Sequence, residues 1–566
     1  MTRLVLFQVL LLVGLLSAHK FLGYPEYCLH DPDYEELLKI IQDGLGRAGT
    51  PAHVVVVGAG ISGLTAAKLL HEAGHKGWKV EKGLQGRKVE KGLQGRKVEK
   101  GLQGRKVEKG LQGRKVEKGL QGRKVEKGLQ GRKVEKGLQG RKVEKGLQGR
   151  KVEKVLQGLV LEVIRQFGLK LSPFQVRDPN AWYLINGTRI RAGEVEKNPD
   201  VLNYPVKPSE KGKSPTQLYR EALDKALQKF QSVDCKKFLA EHDSFSTKEY
   251  LIKVGNLSRG AVQMIGDLMN EDSGFYLSFL ASLWDFGVFS SERFFEITGG
   301  FDQLPKAFLK ALPDVVRFNC TVEKIMTQDN QVQVFYRAPD TLAPSRISAD
   351  YVLVTSTAKA TRHIHFHPPL SPPKTQALRS IHYAGATKII LVCSQKFWEQ
   401  DGIRGGPSIT DHPSRFIYYP NHNFSSGVGV ILASYTWNED SLFFLSLSDQ
   451  ACLDVVYQDL AEIHQLNKDF LQEICDRYVI HKWELDQHSM GAFAAFTPFQ
   501  FVDYSQELFQ PEGRVHFAGE HVAQPHGWLE TAVKSAVRAA SNILHQAQVE
   551  EEEEEKMGTF LPMEDL

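Results

Sequence analysis

An unbroken apolar run, Val54–Val57, opens the segment HVVVVGAGISGLTAAKLLHEAGHK. A run this short predicts a strand buried on both faces, as in a parallel sheet. Behind it Leu64, Ala66, Ala67, Leu69 and Leu70 fall at helical spacing and give a small, apolar packing face. Ser214-Pro-Thr-Gln217 is a capping box with proline at the first helical position, ahead of Leu218, Ala222, Leu223, Ala226, Leu227 and Phe230. Ser246-Thr-Lys-Glu249 opens a second helix in the same way. Near the C-terminus Val515–Gly519 reads as a short strand ending at glycine. A helix follows from about Leu529, with Ala532, Ala536 and Ala539 as a narrow packing face.

Between the first helix and residue 159 the pattern collapses. From Lys79 to Arg150 the nonapeptide KVEKGLQGR recurs eight times without substitution, and an altered copy, KVEKVLQG, fills Lys151–Gly158. Its apolar positions lie alternately four and five apart, which fits neither a heptad nor a strand, and two glycines per copy disfavour a helix. The tract at 79–158 is expected to be a solvated basic loop of low complexity, with polyanion binding as the alternative.

This tract distorts the charge of the chain. Each perfect copy carries +2, so eight carry +16 and the altered copy +1, leaving −13 for the remainder of a chain whose total is +4. The body is mildly acidic, so no nucleic-acid partner is expected. Residues 1–20 have the pattern of a secretory signal peptide, with one arginine, an apolar run from Leu4 to Leu16 and small residues near Ala18. No later run approaches the roughly 18 apolar residues of a membrane span. Secretion, or delivery to a lysosomal or secretory-granule lumen, makes disulfides plausible for the six scattered cysteines. They show no metal-ligand spacing, so no metal site is expected. Sequons at Asn186, Asn256, Asn319 and Asn423 fit a glycosylated surface.

The chemistry starts at the first strand. Gly58, Gly60 and Gly63 fit the turn G-x-G-x-x-G between strand and helix. Gly58 permits the tight turn, Gly60 lets the backbone approach a pyrophosphate, and Gly63 allows close helix–strand packing. The helix N-terminus then stabilises the anion. Such a unit needs an acidic residue roughly 20 positions on, at the end of a second strand, for ribose hydroxyls. Glu81, inside the first repeat, stands 23 residues after Gly58, although Gly77–Val80 is a poor strand. The repeat can donate Glu81 and loop out the remainder. Lys388 is isolated within the apolar strand GATKIILVC, where an ammonium is costly unless paired or hydrated, and this marks it as a functional candidate.

GAGISGL together with FAGEHVAQPHGWLETAVKSAVRAA resembles the flavin amine-oxidase superfamily, and within it the secreted L-amino-acid oxidases of venom and mammalian type. The likeness covers about 23–76 and 159–545, including AWYLINGTRIRAGEV, STKEYLIKVGNLS and MIGDLMNEDSG. It implies an α/β fold: a discontinuous Rossmann-like FAD-binding domain at 51–82, 300–380 and 505–547, and a mixed-sheet substrate domain at 159–192 and 381–504. A helical domain would take 193–299, and 548–566 reads as an acidic disordered tail. The resemblance implies oxidation of the Cα–N bond of an L-amino acid by hydride transfer to flavin. A 2-oxo acid, ammonia and, through dioxygen, hydrogen peroxide would result.

Carried onto this sequence, cofactor contacts fall on Gly58, Ala59, Gly60, Ser62, Gly63, Glu81, Arg87, Val322, Gly519, Glu520, Trp528 and Thr531. Lys388 would hold a water near the flavin, and Trp528 would wall its face. Gly527 would meet the substrate amine, and Phe493 would line an apolar side-chain pocket. The family's carboxylate-binding tyrosine aligns at Ser434, with Tyr435 beside it as a candidate, although a one-residue shift turns a strand side chain to the other face. No cysteine lies beyond Cys475, so FAD should be noncovalent. The resemblance also pairs Cys28 with Cys235 and Cys393 with Cys475, and implies a homodimer.

One departure matters. The family follows its second strand with a GGR-type flavin loop and an LGPMR-like segment whose arginine clamps the substrate carboxylate, and here repeats stand in that place. Gly86-Arg87 can imitate the loop, but nothing replaces the clamp. A catalytically impaired flavoprotein and a secreted polyanion-binding protein therefore stand beside the oxidase reading.

Overall fold

β1 (Val54–Val57) forms where the four valines stand, and all four are buried. Its side chains alternate between two cores: Val54 and Val56 join the main one, Val55 and Val57 a smaller one. The computed structural model describes residues 31–75, 80–81 and 158–559, apart from 231, 289–293, 329, 339–340, 342 and 422–426. α1 (Ile61–Glu72) follows the glycine turn. β2 (Val80–Glu81), α2 (Leu159–Gln166), β3 (Val316–Arg317), β4 (Tyr351–Val354), β5 (Val515–Phe517) and α3 (Leu529–Thr559) complete the nucleotide-binding unit. Its sheet runs β5-β4-β1-β2-β3, and every adjacent pair is parallel. A sheet buried on both faces needs apolar residues at every position, which is why β1 and β4 show no alternation.

β2 forms despite its weak sequence, because Val80 and Glu81 find ready partners in Val56–Val57 on one side and Val316–Arg317 on the other. On the returning side, the Glu530 carboxylate of α3 accepts from the N–H groups of Leu159 (3.1 Å) and Val160 (2.9 Å), and from the Tyr34 hydroxyl. α2 thus begins on a carboxylate that neutralises two of its unpaired donors. Arg87 and the repeat beyond Glu81 lie outside the described residues, as do Cys28 and Asn423.

A seven-stranded sheet carries the opposite wall, from Arg477–Lys482 through Ala386–Cys393, Gly429–Trp437, Phe416–Tyr418, Pro407–Thr410 and Trp182–Ile185 to Thr188–Arg191. Behind it a second core is closed by the disulfide Cys393–Cys475. Cys235 is also disulfide-bonded. The helices Pro215–Phe230, Cys235–His242, Thr247–Lys253, Arg259–Met269 and Phe279–Val288 lie between the two sheets in sequence. Both serine caps form, with Ser214 and Ser246 accepting from the Gln217 and Glu249 N–H groups at 3.2 Å. Among the described residues no helix is long and apolar enough to cross a membrane.

One expectation fails. Residues 548–559, read as the start of a disordered acidic tail, continue α3. Glu550 meets the Tyr351 hydroxyl and pairs with Arg514 at 2.6 Å, and Glu551 accepts from the Thr50 N–H at 3.2 Å. Composition suggested repulsion, but fixed cationic and hydroxyl partners in the body of the protein neutralise the first glutamates of the run.

Candidate active site

The glycine turn is tight where it must be and open where a ligand must approach. Gly58 has φ +117°, and a Cβ there would lie 2.5 Å from Thr355 Oγ1. A Cβ on Gly63 would lie 2.1 Å from the Gly58 carbonyl oxygen, so α1 can cross β1 only through glycine. A Cβ on Gly60, at the N-terminus of α1, would meet nothing within 4 Å. That open space belongs to a cavity of about 910 Å³ whose wall includes Ala59, Gly60 and Ser62. The volume suits a large cofactor with a small substrate.

The C-terminal motif closes the same cavity. Gly519 adopts φ +132°, and its N–H donates to Ser535 Oγ at 2.9 Å. The Glu520 carboxylate accepts from the N–H groups of Ala494 (3.0 Å) and Gly527 (2.9 Å), tying the strand Phe493–Ala495 to the loop before α3. Trp528, 2% exposed, donates its indole N–H to Asp285 Oδ1 at 2.6 Å and thereby reaches across to the helical domain. Gly519, Glu520, Gly527 and Trp528 all line the cavity. His521 and His526 line it too; burial lowers both to about 3, so they are neutral at working pH.

The remaining wall comes from the seven-stranded sheet. Lys388, 5% exposed, stands opposite Tyr435 on the neighbouring strand, with its ammonium 4.7 Å from the centre of the tyrosine ring. Ile389 pairs with Ser434 but Ile390 with Leu432, so Ala433 is an extra residue, a β-bulge. The bulge resets the alternation. Val430 and Leu432 face the main core, Ile431 and Ala433 the second, and beyond the bulge Tyr435 and Trp437 face the cavity. Ser434 points away and donates to the Ser414 carbonyl oxygen at 3.1 Å. Without the extra residue Ser434 would occupy the cavity face. Phe493 joins this wall beside Trp437, with ring centres 6.0 Å apart.

The structure thus gathers Ala59, Gly60, Ser62, Lys388, Tyr435, Phe493, Gly519, Glu520, Gly527 and Trp528 around one space. Among the described residues carried over by resemblance, Gly58 and Gly63, which shape the turn, and Val322 and Thr531 stand apart from its lining. Val322 is buried in the smaller core with Val55 and Val57, where strand alternation turns its side chain inward. Thr531 donates its hydroxyl to the Pro525 carbonyl oxygen at 2.6 Å. Glu81 ends β2 beside Val57, at the strand end expected of a ribose-binding acid.

A family model described as flavin containing amine oxidoreductase matches residues 131–544. The chain belongs to the flavin-containing amine oxidoreductase family. It is 46% identical over 540 residues to an L-amino-acid oxidase of Echis ocellatus, across 95% of this chain and 98% of that one. An L-amino-acid oxidase of Naja atra is 45% identical across 97% of this chain and 99% of its own. Among solved structures, a putrescine oxidase triple mutant (18% identical, TM-score 0.62) covers 88% of this chain and 99% of its own. A cyclohexylamine oxidase from Brevibacterium oxydans covers 88% and 100% at 15% identity and the same TM-score. These last two likenesses bear on the fold alone. FAD is the cofactor of this flavin oxidoreductase, and the glycine turn with its open Gly60 fits the dinucleotide.

Sequence reading missed several residues of this wall. Trp437 was within reach, two positions beyond Tyr435 on the same strand face. Asp285, Tyr418 and Trp483 arrive from separate elements, and no local spacing announces them.

Proposed function

We propose that this flavin oxidoreductase carries out oxidative deamination of L-amino acids, giving 2-oxo acids, ammonia and hydrogen peroxide. One observation carries the reading: the glycine turn, the α3 N-terminus and the Lys388–Tyr435 pair share a single cavity. FAD, when bound, supplies the hydride acceptor, and dioxygen restores it. Lys388 holds the water nearest the reacting centre; its ammonium stands in an apolar wall beside the Tyr435 ring, where hydration is the natural complement. Trp528, fixed by Asp285, walls the flavin, and the Gly527 region meets the substrate amine. Tyr435 donates its hydroxyl to the substrate carboxylate, while Phe493 and Trp437 favour apolar and aromatic side chains. Gly58, Gly63 and Glu81 serve the cofactor through turn geometry and strand position.

The cationic side chains on the described wall are Lys388 and Arg220, and the family's carboxylate clamp has no counterpart in the sequence. That departure favours a second reading, a flavoprotein of low turnover. Purified protein should be yellow and release FAD on acid treatment. Peroxide formation with L-leucine and L-phenylalanine, but not with their D-forms, supports the first reading. Flavin binding without peroxide supports the second, and a folded protein without flavin sinks both. The disulfide Cys393–Cys475 supports passage through an oxidising compartment. Glycosylation fits Asn186, Asn256 and Asn319, which are exposed at left-handed backbone positions outside the helices and strands. A homodimer is proposed from the resemblance, to be checked by light scattering.

A further inference from the structure

One carboxylate on the cavity wall lacks half of its hydrogen bonding. Asp302 is 8% exposed and precedes helix Gln303–Ala311. An aspartate in that position ordinarily accepts an N–H from the second or third helical residue. Asp302 makes no such bond. Its Oδ2 meets Lys306 Nζ at 2.9 Å, and its Oδ1 has no partner. Phe301, Leu304 and Pro305 beside it line the same cavity. The helix it precedes packs on α1, into which the glycine turn leads, so Asp302 lies toward the nucleotide side.

A buried acceptor without a protein partner calls for an explanation, and a contact to a ligand is one of the few available. An ionised carboxylate is acceptor-only, so it repels a pyrophosphate and cannot serve the flavin carbonyls. It takes a hydroxyl or an N–H. FAD carries hydroxyls on both its ribityl chain and its ribose, and both belong to the nucleotide side. We infer that Asp302 is a cofactor-binding residue that accepts a hydrogen bond from a hydroxyl of the sugar portion of FAD. This rests on FAD being the cofactor; the substrate ammonium is the competing donor.

The test compares wild type, Asp302→Ala, Asp302→Asn and Lys306→Ala, each as full-length protein stripped of flavin and titrated with FAD by fluorescence quenching. Losing a charge-assisted bond should weaken FAD binding ~10- to 100-fold in Asp302→Ala. Asp302→Asn keeps the volume and one acceptor, so its loss should be smaller. Lys306→Ala should bind FAD as wild type does. Flavin-free Asp302→Ala should melt higher than flavin-free wild type, because the buried, unpartnered Oδ1 is gone and the bond lost from Oδ2 is only to the exposed Lys306, while its stabilisation by added FAD shrinks. If Asp302→Ala does not fold, the Asp302→Asn titration decides alone. Unchanged FAD affinity in a folded variant overturns the inference. So does an unchanged affinity joined to a raised KM for L-leucine, which would assign Asp302 to the substrate ammonium. A wild-type protein that takes up no FAD fails at the earlier step and brings down the proposed function with it.

Discussion

The two sheets that face the cavity are built on opposite plans. The parallel sheet joins strands of two to four residues drawn from positions 54, 80, 316, 351 and 515 onward. The other sheet runs up to nine residues per strand, and its central strands pair antiparallel. In the first, the proposed function lies with the backbone: a glycine-rich turn, an open Gly60 and a helix end. In the second it lies with side chains that must face one way, and a single bulge at Ala433 decides which do. Backbone sites therefore demand particular residue types in a fixed spacing, while side-chain sites demand a particular register.

The strongest test of this division is Lys388→Met. Turnover with L-leucine should fall ~10²–10⁴-fold while flavin content stays at the wild-type level. Loss of flavin in this variant would show that the two walls are not separable. Next comes the staple behind the side-chain wall. Replacing Cys393 and Cys475 with serine releases a link spanning 82 residues and should cost about 2–4 kcal/mol in denaturant melts. Activity should suffer before flavin release, since the bond holds the strand that carries Lys388.

Gly63→Ala attacks the other wall. Its Cβ meets a backbone oxygen rather than a movable side chain, so a cost near 3 kcal/mol, the upper end for overpacking, and loss of FAD are expected. Retained flavin would mean that the turn can open without harm.

Asp243 sharpens the comparison at the seam with the helical domain, where its Oδ2 accepts from the Val502 N–H at 3.1 Å. Burial raises its carboxyl to about 6 from the model-peptide value of 3.8. Between these values the folded state binds more protons than the unfolded chain, so stability falls as pH rises from about 4 to 6. Asp243→Asn keeps an acceptor and should gain about 1–3 kcal/mol above pH 6, with the gain vanishing near pH 4. The smallest effect is expected from deleting Lys88–Arg150. One repeat with Glu81 remains on β2, and Glu530 still holds Leu159 and Val160, so melting temperature and flavin content should stay unchanged. A fall in either would give the repeat a structural role.

The nucleotide half of the site was legible because its signals are local: four valines, three spaced glycines, an apolar helix face and a second strand–glycine–helix near residue 519. Lys388 was legible for the same reason, as a charge in an apolar strand. The tail was misread because composition does not reveal that Arg514 and Tyr351 await Glu550. The bond from Trp528 to Asp285 and the unpartnered oxygen of Asp302 were not visible, since one joins residues more than 200 positions apart and the other is a bond that fails to form.

By itself the sequence determined the strand–turn–helix chemistry, the family and the residue types of the cavity, because glycine spacing and apolar periodicity act over a few residues. Only the tertiary structure decided that Tyr435 and not Ser434 faces the cavity, that β2 forms from two residues, and that Val322 turns into a core. Register, bulges and strand partnership are set by energies shared between distant segments. No single segment encodes them.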